Sequence, residues 1–224
     1  MLLAVDTATH MAGLALYDEA RGEVPGEQMW HSANNHTVEL MPRLVRMMQR
    51  LDVSVEDLTG LVVSLGPGSF TGLRIGLGVA KGLALARKLP IVGVPTLEIV
   101  ARPFQAQRRP IWAIVEAGRG RICAGHYLRR KGRWRRNGPF HLTTLDELCD
   151  GANVPALFCG EIDDQGRDLI QRRLGSEAIV ATPAASLRRT AYLAELGWER
   201  LQHDDSDDAT TLSPIYLHHP QIDA

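Results

Sequence analysis

Cysteine, net charge and long apolar runs are all scarce in this chain of 224 residues. The three cysteines, Cys123, Cys149 and Cys159, are widely spaced and form no CxxC pair. That argues against a disulfide framework or a thiolate zinc knuckle, and buried thiols in a reducing compartment are expected instead. The formal net charge is -1 and the pI about 6.7, so no whole-molecule field favours nucleic acid or membrane. No apolar run approaches the roughly 18 residues of a membrane span. The opening MLLAVDTATH carries no basic stretch and its apolar run stops at Asp6, which argues against a signal peptide. A cytoplasmic location is therefore expected. What the chain has is 45% hydrophobic and 23% charged residues. At roughly 100–200 residues per domain, that length suits one large domain or two small lobes with a sizeable core.

The apolar pattern gives a strand at Leu2–Val5, a second at Met11–Tyr17 and a third at Gln28–Ser32. Such a meander is unlike the βαβ opening of a Rossmann domain. Helical spacing follows over Thr37–Leu51, then a buried strand at Gly60–Leu65, a long helix over Ser69–Lys88, a strand at Ile91–Val94 and another helix from Pro95 to Ala101. Strands first, then alternating helix and strand, predict a mixed sheet covered by helices. The polar, basic stretch Pro103–Pro110 marks a lobe boundary, giving lobes of 1–104 and 105–224. Beyond it, Ile111–Glu116 and Arg121–Leu128 read as a hairpin and Ala156–Cys159 as a short strand. Leu145–Leu148, Gly166–Leu174 and Ala184–Leu201 carry helical spacing. Asp204–Asp208 is an acidic loop, and Ser213–Leu217 returns as a strand or strap.

The most informative run is Ser64-Leu65-Gly66-Pro67-Gly68-Ser69-Phe70-Thr71-Gly72-Leu73-Arg74-Ile75-Gly76. It leaves a strand and opens a helix. Gly66 and Gly68 permit a tight turn, and Ser69 suits an N-cap. A tight strand-to-helix turn accounts for the run by itself; backbone N–H groups at such a start would also suit a phosphate. The Lys-Ser/Thr of a P-loop and the GxGxxG spacing are both missing. Nor is Gly-Pro-Gly-Ser-Phe the GxSxG elbow of a hydrolase.

Within the helix, Gly72, Gly76, Ala80 and Ala84 recur every four residues, and Gly78, Gly82 and Ala86 form a second row. A helix-interior Gly costs about 0.5–1 kcal/mol relative to Ala, so close neighbours are expected in return. One row suits the protein's own sheet; two rows suggest a second neighbour. The preceding helix carries apolar residues from Val38 to Leu51 over an arc of about 180°, wider than one neighbour needs. Burial between several neighbours is the plainer explanation of that width. Met41, Met47 and Met48 suit an adaptable contact, and Pro42 should kink the helix slightly.

Gly66–Gly76, the N-terminal Leu3-Ala4-Val5-Asp6-Thr7-Ala8-Thr9, His36-Thr37 and Gly93-Val94-Pro95-Thr96-Leu97 together resemble the TsaB (YeaZ) family. The likeness is dense over residues 1–100 and thin beyond, apart from Pro214-Ile215-Tyr216-Leu217. It implies an α/β, two-lobed actin/sugar-kinase-like (ribonuclease-H-like) fold with mixed sheets flanked by helices. It further implies a non-catalytic scaffold in forming threonylcarbamoyladenosine on tRNA next to the anticodon. The partners implied are the catalytic subunit TsaD, the ATPase TsaE and a competing homodimer, with tRNA met through the complex. TsaD carries a metal-binding HxxxH where this chain has Thr96 and Val100, so no metal and no cofactor are expected. The superfamily's ATP hairpin reads Asp-x-Gly-Thr; here Ala8 replaces the glycine and crowds phosphate. Asp6, Thr7, Thr9 and Ser69 are the residues a nucleotide or phosphate would touch. In the second half, Glu116-Ala117-Gly118 and Arg121-Ile122-Cys123 depart from the family pattern.

The partner surface is expected on the two helices, through His36, Leu40, Leu44, Met47, Met48, Phe70, Gly72, Arg74, Gly76 and Ala80. The basic cluster Arg129–Arg136 suits either a solvated hairpin tip around Lys131-Gly132 or tRNA contact. In the second case Arg133, Arg135 and Arg136 would meet phosphate and Trp134 would stack. His31/His36 and His218/His219 read as solvated loop histidines. Two rivals to the scaffold are a small-molecule kinase or ATPase of the same superfamily, against which Ala8 stands, and a metallopeptidase, against which Thr96 and Val100 stand.

Overall fold

The computed structural model describes residues 1–33 and 35–217, so His218 and His219 lie outside the described residues. The chain opens with β1 (Leu2–Asp6), β2 (Met11–Asp18), β3 (Glu23–His31) and α1 (His36–Arg50). Then come β4 (Gly60–Gly66), α2 (Phe70–Arg87), β5 (Ile91–Pro95) and α3 (Thr96–Ala101). The next stretch holds β6 (Ile111–Gly118), β7 (Arg121–Arg130), β8 (Arg133–Arg136), β9 (His141–Thr143) and α4 (Leu145–Gly151). It ends with β10 (Ala156–Gly160), α5 (Asp164–Leu174), β11 (Ala178–Val180) and α6 (Thr190–Leu201).

Two compact units result. The first is Met1–Ile99 with Arg189–Ile215, built on a five-stranded sheet in the order β3-β2-β1-β4-β5. β1 runs antiparallel to β2 and parallel to β4, and β4 runs parallel to β5. Alternate residues of a strand face opposite sides. Leu3 and Val5 therefore join Leu14, Leu16, Leu61 and Val63 under α1 and α2, while Ala4 joins Ala15, Val62 and Val92 under α6. The α6 face is lined with small residues because the helix comes close: a Cβ on Gly197 would lie 2.3 Å from Val62 Cγ2. The boundary expected at 104/105 gave every later residue to the second lobe. Instead, Arg189–Ile215 returns to the first unit, because α6 covers the second apolar face of its sheet. Helix α6 starts at Thr190, six residues after the expected Ala184. Helix α1 runs unbroken through Pro42.

The second unit is Val100–Arg188 with described residues 216–217. Its sheet runs β11-β10-β6-β7-β8, with β9 also pairing β7. The expected hairpin is β6–β7, closed by Arg119-Gly120 with φ of +56° and +70°. Positive φ at both turn residues matches the twist of the paired strands. The basic cluster forms a second such hairpin, β7–β8, turned by Lys131-Gly132 at φ +49° and +79°. α4 and α5 cover one face through Leu148, Cys149 and Ile170, packed on Trp112, Ile114 and Phe158. No described helix is long and apolar enough to cross a membrane.

Candidate functional site

The glycine loop after β4 folds back on the turn between β1 and β2. Ser69 N–H donates to Ala8 O at 2.6 Å, and Thr7 Oγ1 donates to Gly72 O at 2.7 Å. A Cβ on Gly68 would lie 2.1 Å from Ala8 O, and one on Gly72 would lie 2.2 Å from Thr7 O. Ser69 caps α2 as expected, its hydroxyl accepting from Gly72 N–H at 3.2 Å. Asp6 Oδ1 accepts from Ala8 N–H at 3.0 Å and from Ser64 Oγ at 2.8 Å. Asp6, Thr7 and Thr9 are all buried. Of the residues expected to meet a nucleotide, Thr7 thus lies against the chain's own glycine loop, and Ser69 is engaged as a cap.

His36, expected as a solvated loop histidine, is buried beside Gly72, and its Nδ1 has no partner among the described residues. Burial lowers its pKa below the ordinary 6.5. Thr96 and Val100 are also buried, and no group of three or more His, Cys, Asp or Glu is gathered to hold a metal among the described residues.

Most of the residues expected to meet a partner are buried in the first unit. Leu40, Leu44, Met47 and Met48 of α1 face the first unit's core, as do Gly72, Gly76 and Ala80 of α2. Gly76 is there because a Cβ would lie 2.2 Å from Thr7 Oγ1. What α1 exposes is a second apolar stripe, Val38 (69% exposed), Met41 (41%) and Val45 (46%). What α2 exposes is an i, i+4 row of Phe70, Arg74, Gly78 and Gly82. A Cβ on either of these two glycines would meet nothing within 4 Å. The Arg74 guanidinium sits 3.8 Å over the Phe70 ring. Of the expected contacts, only Phe70 and Arg74 lie on the outer side; Gly78 and Gly82 belong to the second small-residue row that suggests another neighbour, and the wide apolar arc of α1 includes Val38, Met41 and Val45 without setting them apart. The distance of one stripe from the other around each helix was the available signal.

In the second unit, Arg133, Arg135 and Arg136 are exposed as expected of a hairpin. Trp134 is not a free platform: it is half-buried, and its indole N–H donates to Gln105 O at 2.7 Å. Glu116 N–H donates to Glu161 Oε2 at 2.8 Å, beside a cavity of about 500 Å3 between the β6–β7 turn and the start of α5. The cysteines are all free and buried, and desolvation pushes the Cys123 thiol up to about 11. They carry no accessible thiolate.

A model of the TsaD family, described as tRNA N6-adenosine threonylcarbamoyltransferase, matches residues 18–138. The tRNA threonylcarbamoyladenosine biosynthesis protein TsaB of Bacillus subtilis (strain 168) is 32% identical over 229 aligned positions, covering 100% of this chain and 96% of that one. The chain belongs to the TsaB family. It falls within the wider group that the TsaD model describes. YeaZ from Pseudomonas aeruginosa superposes with a TM-score of 0.75 at 24% identity, over 96% of this chain and 99% of that one. A second solved chain, an uncharacterized protein with similarity to peptidase YEAZ from Pseudomonas aeruginosa, gives 0.78 at 24% identity, covering 97% and 99%. At that identity the likeness speaks to the fold alone, the expected α/β class with mixed sheets flanked by helices. Membership of the TsaB family rests on the full-length relative. The glycine run Gly66–Gly76 shapes the loop that lies against Thr7 and Ala8 and starts the helix whose outer row is open.

Proposed function

We propose that this chain is a non-catalytic scaffold in the cytoplasmic formation of threonylcarbamoyladenosine on tRNA, and that it holds a TsaD subunit through α1 and α2. The observation that carries this is the outer face of those helices. Val38, Met41, Val45 and Phe70 are exposed apolar side chains, and Gly78 and Gly82 lie open on the same side of α2 as Phe70. Exposed apolar side chains gathered on one face mark an interaction surface. Open glycines in a helix interior weaken the isolated helix, and a second helix backbone approaching them would offset that through dispersion contacts. The same face would serve a homodimer, so self-association and TsaD binding should compete, and TsaE would join the assembled pair. A kinase or ATPase role finds less support, since Ala8 and the glycine loop fill the hairpin where phosphate would sit.

Met41→Asp with Val45→Asp, and separately Gly78→Leu with Gly82→Leu, test the proposal. Each changed residue points away from the core, so circular dichroism should show a folded chain in both, with the glycine variant melting at or above wild type. Capture of TsaD should weaken at least about ten-fold, which corresponds to about 1.4 kcal/mol. Sedimentation should show self-association falling with it. Both associations persisting in folded variants of both helices would overturn the scaffold surface. Sustained ATP turnover by the purified chain would overturn its non-catalytic role.

A further inference from the structure

The basic hairpin carries six cations between Arg129 and Arg136 in a chain of net charge -1. Arg129 Nε donates to Gly132 O at 3.4 Å, and Arg130 donates to Asn137 Oδ1 at 2.9 Å. Among the described residues none of the six has an acidic partner within ion-pair distance. Their positive field is therefore local to this edge of the second sheet.

The strand register joins that field to an aromatic group. On β7, Leu128 lies opposite Arg135 and Arg130 opposite Arg133, while His126 lies opposite Trp112 and Ala124 opposite His141. Opposed residues share a face, and so do alternate residues along a strand. Arg133, Arg135, His126, Trp112 and His141 thus lie on one face. The Trp112 and His126 rings stack at 4.3 Å with 7° between planes, and the His141 ring lies 6.3 Å from Trp112. Beside them is a cavity of about 440 Å3, walled by Trp112, Phe140 and His141 and, from α4, by Glu147 and Leu148. Trp112 is only 8% exposed, and its indole N–H has no acceptor among the described residues.

We propose that this face binds single-stranded RNA, with one base in the cavity beside Trp112 and His141 and the neighbouring phosphates on Arg133 and Arg135. Flat rings accept a base of any sequence by stacking, and unpaired arginines accept the backbone. A duplex would keep its bases out of the cavity. Glu147 separates the two roles. Its carboxylate is held below the ordinary carboxylate range by the Thr143 hydroxyl and the Thr144 N–H, so it stays charged. That fixed anion repels phosphate from the cavity and accepts an exocyclic amino group. The choice of RNA rests on the proposed role in tRNA modification.

The test uses the full-length chain and a labelled short single-stranded RNA, with anisotropy read across a range of KCl concentrations. Arg133→Ala with Arg135→Ala should lower the slope of log affinity against log salt by about 1.4, from about 0.7 per phosphate contact. Phe140→Ala with His141→Ala should weaken binding about ten-fold at every salt and leave the slope unchanged. If that variant melts early, Trp112→Phe is the substitute: it keeps a ring and should lose the RNA-induced quenching of tryptophan emission. Base-side variants binding like wild type, or duplex RNA or matched DNA binding as tightly as the single strand, would overturn the site. TsaD capture is read separately through α1 and α2. RNA binding absent with capture intact sinks this site alone; capture lost from folded wild-type chain sinks the scaffold.

Discussion

A methyl group on Gly72 would lie 2.2 Å from Thr7 O, a backbone atom that cannot swing aside, whereas one on Gly78 or Gly82 would meet nothing within 4 Å. The four glycines of α2 are therefore two different kinds of residue. Gly72→Ala should destabilise the isolated chain by about 1–3 kcal/mol through overpacking. Gly78→Ala and Gly82→Ala should each stabilise it by about 0.5–1 kcal/mol, because an open helix position favours Ala. Denaturant midpoints of the three variants check this, and equal signs at all three would sink the distinction. His36 gives a second prediction at this scale. Burial lowers its pKa below 6.5. The unfolded chain therefore binds the proton more readily, and the stability present above pH 6.5 is lost as pH falls through the folded value. Denaturant unfolding at several pH values should show that slope, and His36→Gln should flatten it; His126, also lowered by burial, keeps the remainder. An unchanged slope in a folded His36→Gln variant would remove His36 as its source. In the sequence, the Gly72 row was legible as close packing, but which row faced inward was not. That depends on Thr7, a residue far away in the chain.

The elements themselves were legible where a cap and a periodicity agreed. Ser69 marked the start of α2, and Asp6-Thr7 ended β1. β9 and β11 had no such marks, and β8 was signalled only as the far side of a hairpin tip around Lys131-Gly132. β8 is Arg-Trp-Arg-Arg, nearly all charge, and β9 and β11 are three residues each. Their pairing is set by β7 and β10 rather than by their own residues. β3 begins at Glu23, earlier than the expected Gln28, because as the outermost strand it is only partly buried and shows little alternation. The acidic loop after α6 is also more than a solvated turn. Asp207 pairs with Ile91, and its Oδ2 accepts Gly93 N–H at 2.7 Å; Arg200 donates to Gly93 O at 2.9 Å. Together they close the outer edge of β5, which would otherwise offer unpaired backbone groups to another chain. Asp207→Ala should cost about 1–3 kcal/mol, the usual penalty for a partly buried donor left without its acceptor. Hydrogen exchange at Gly93 should speed up while exchange in β1 stays protected. Unchanged protection at Gly93 would show that Arg200 and the strand bridge suffice.

At the scale of the whole molecule, the chain leaves its first unit at Ile99 and comes back at Arg189. Sequence patterning placed a boundary at 104/105 and saw no return, because α6 looks like any other amphipathic helix until its surface is matched to a sheet. The match is specific. Ala4, Ala15, Val62 and Val92 form one apolar face, and Leu193 and Ala194 of α6 pack on it. Gly197 lets the helix backbone come down onto Val62. A fragment ending at residue 104 would leave that face open to water, a contiguous apolar patch of the kind that drives aggregation. Residues 1–99 joined to 189–215 by a flexible Gly/Ser linker would restore the cover, since lengthening a loop costs little. The first fragment should be aggregated or lack a cooperative thermal transition, and the joined one should be monodisperse and melt cooperatively, as light scattering and circular dichroism would report. Leu193→Asp in the joined fragment should abolish its transition by placing a charge against Val62 and Val92. A cooperative melt of the 1–104 fragment by itself would show that the first sheet does not need α6, and that the unit closes without its second pass of the chain.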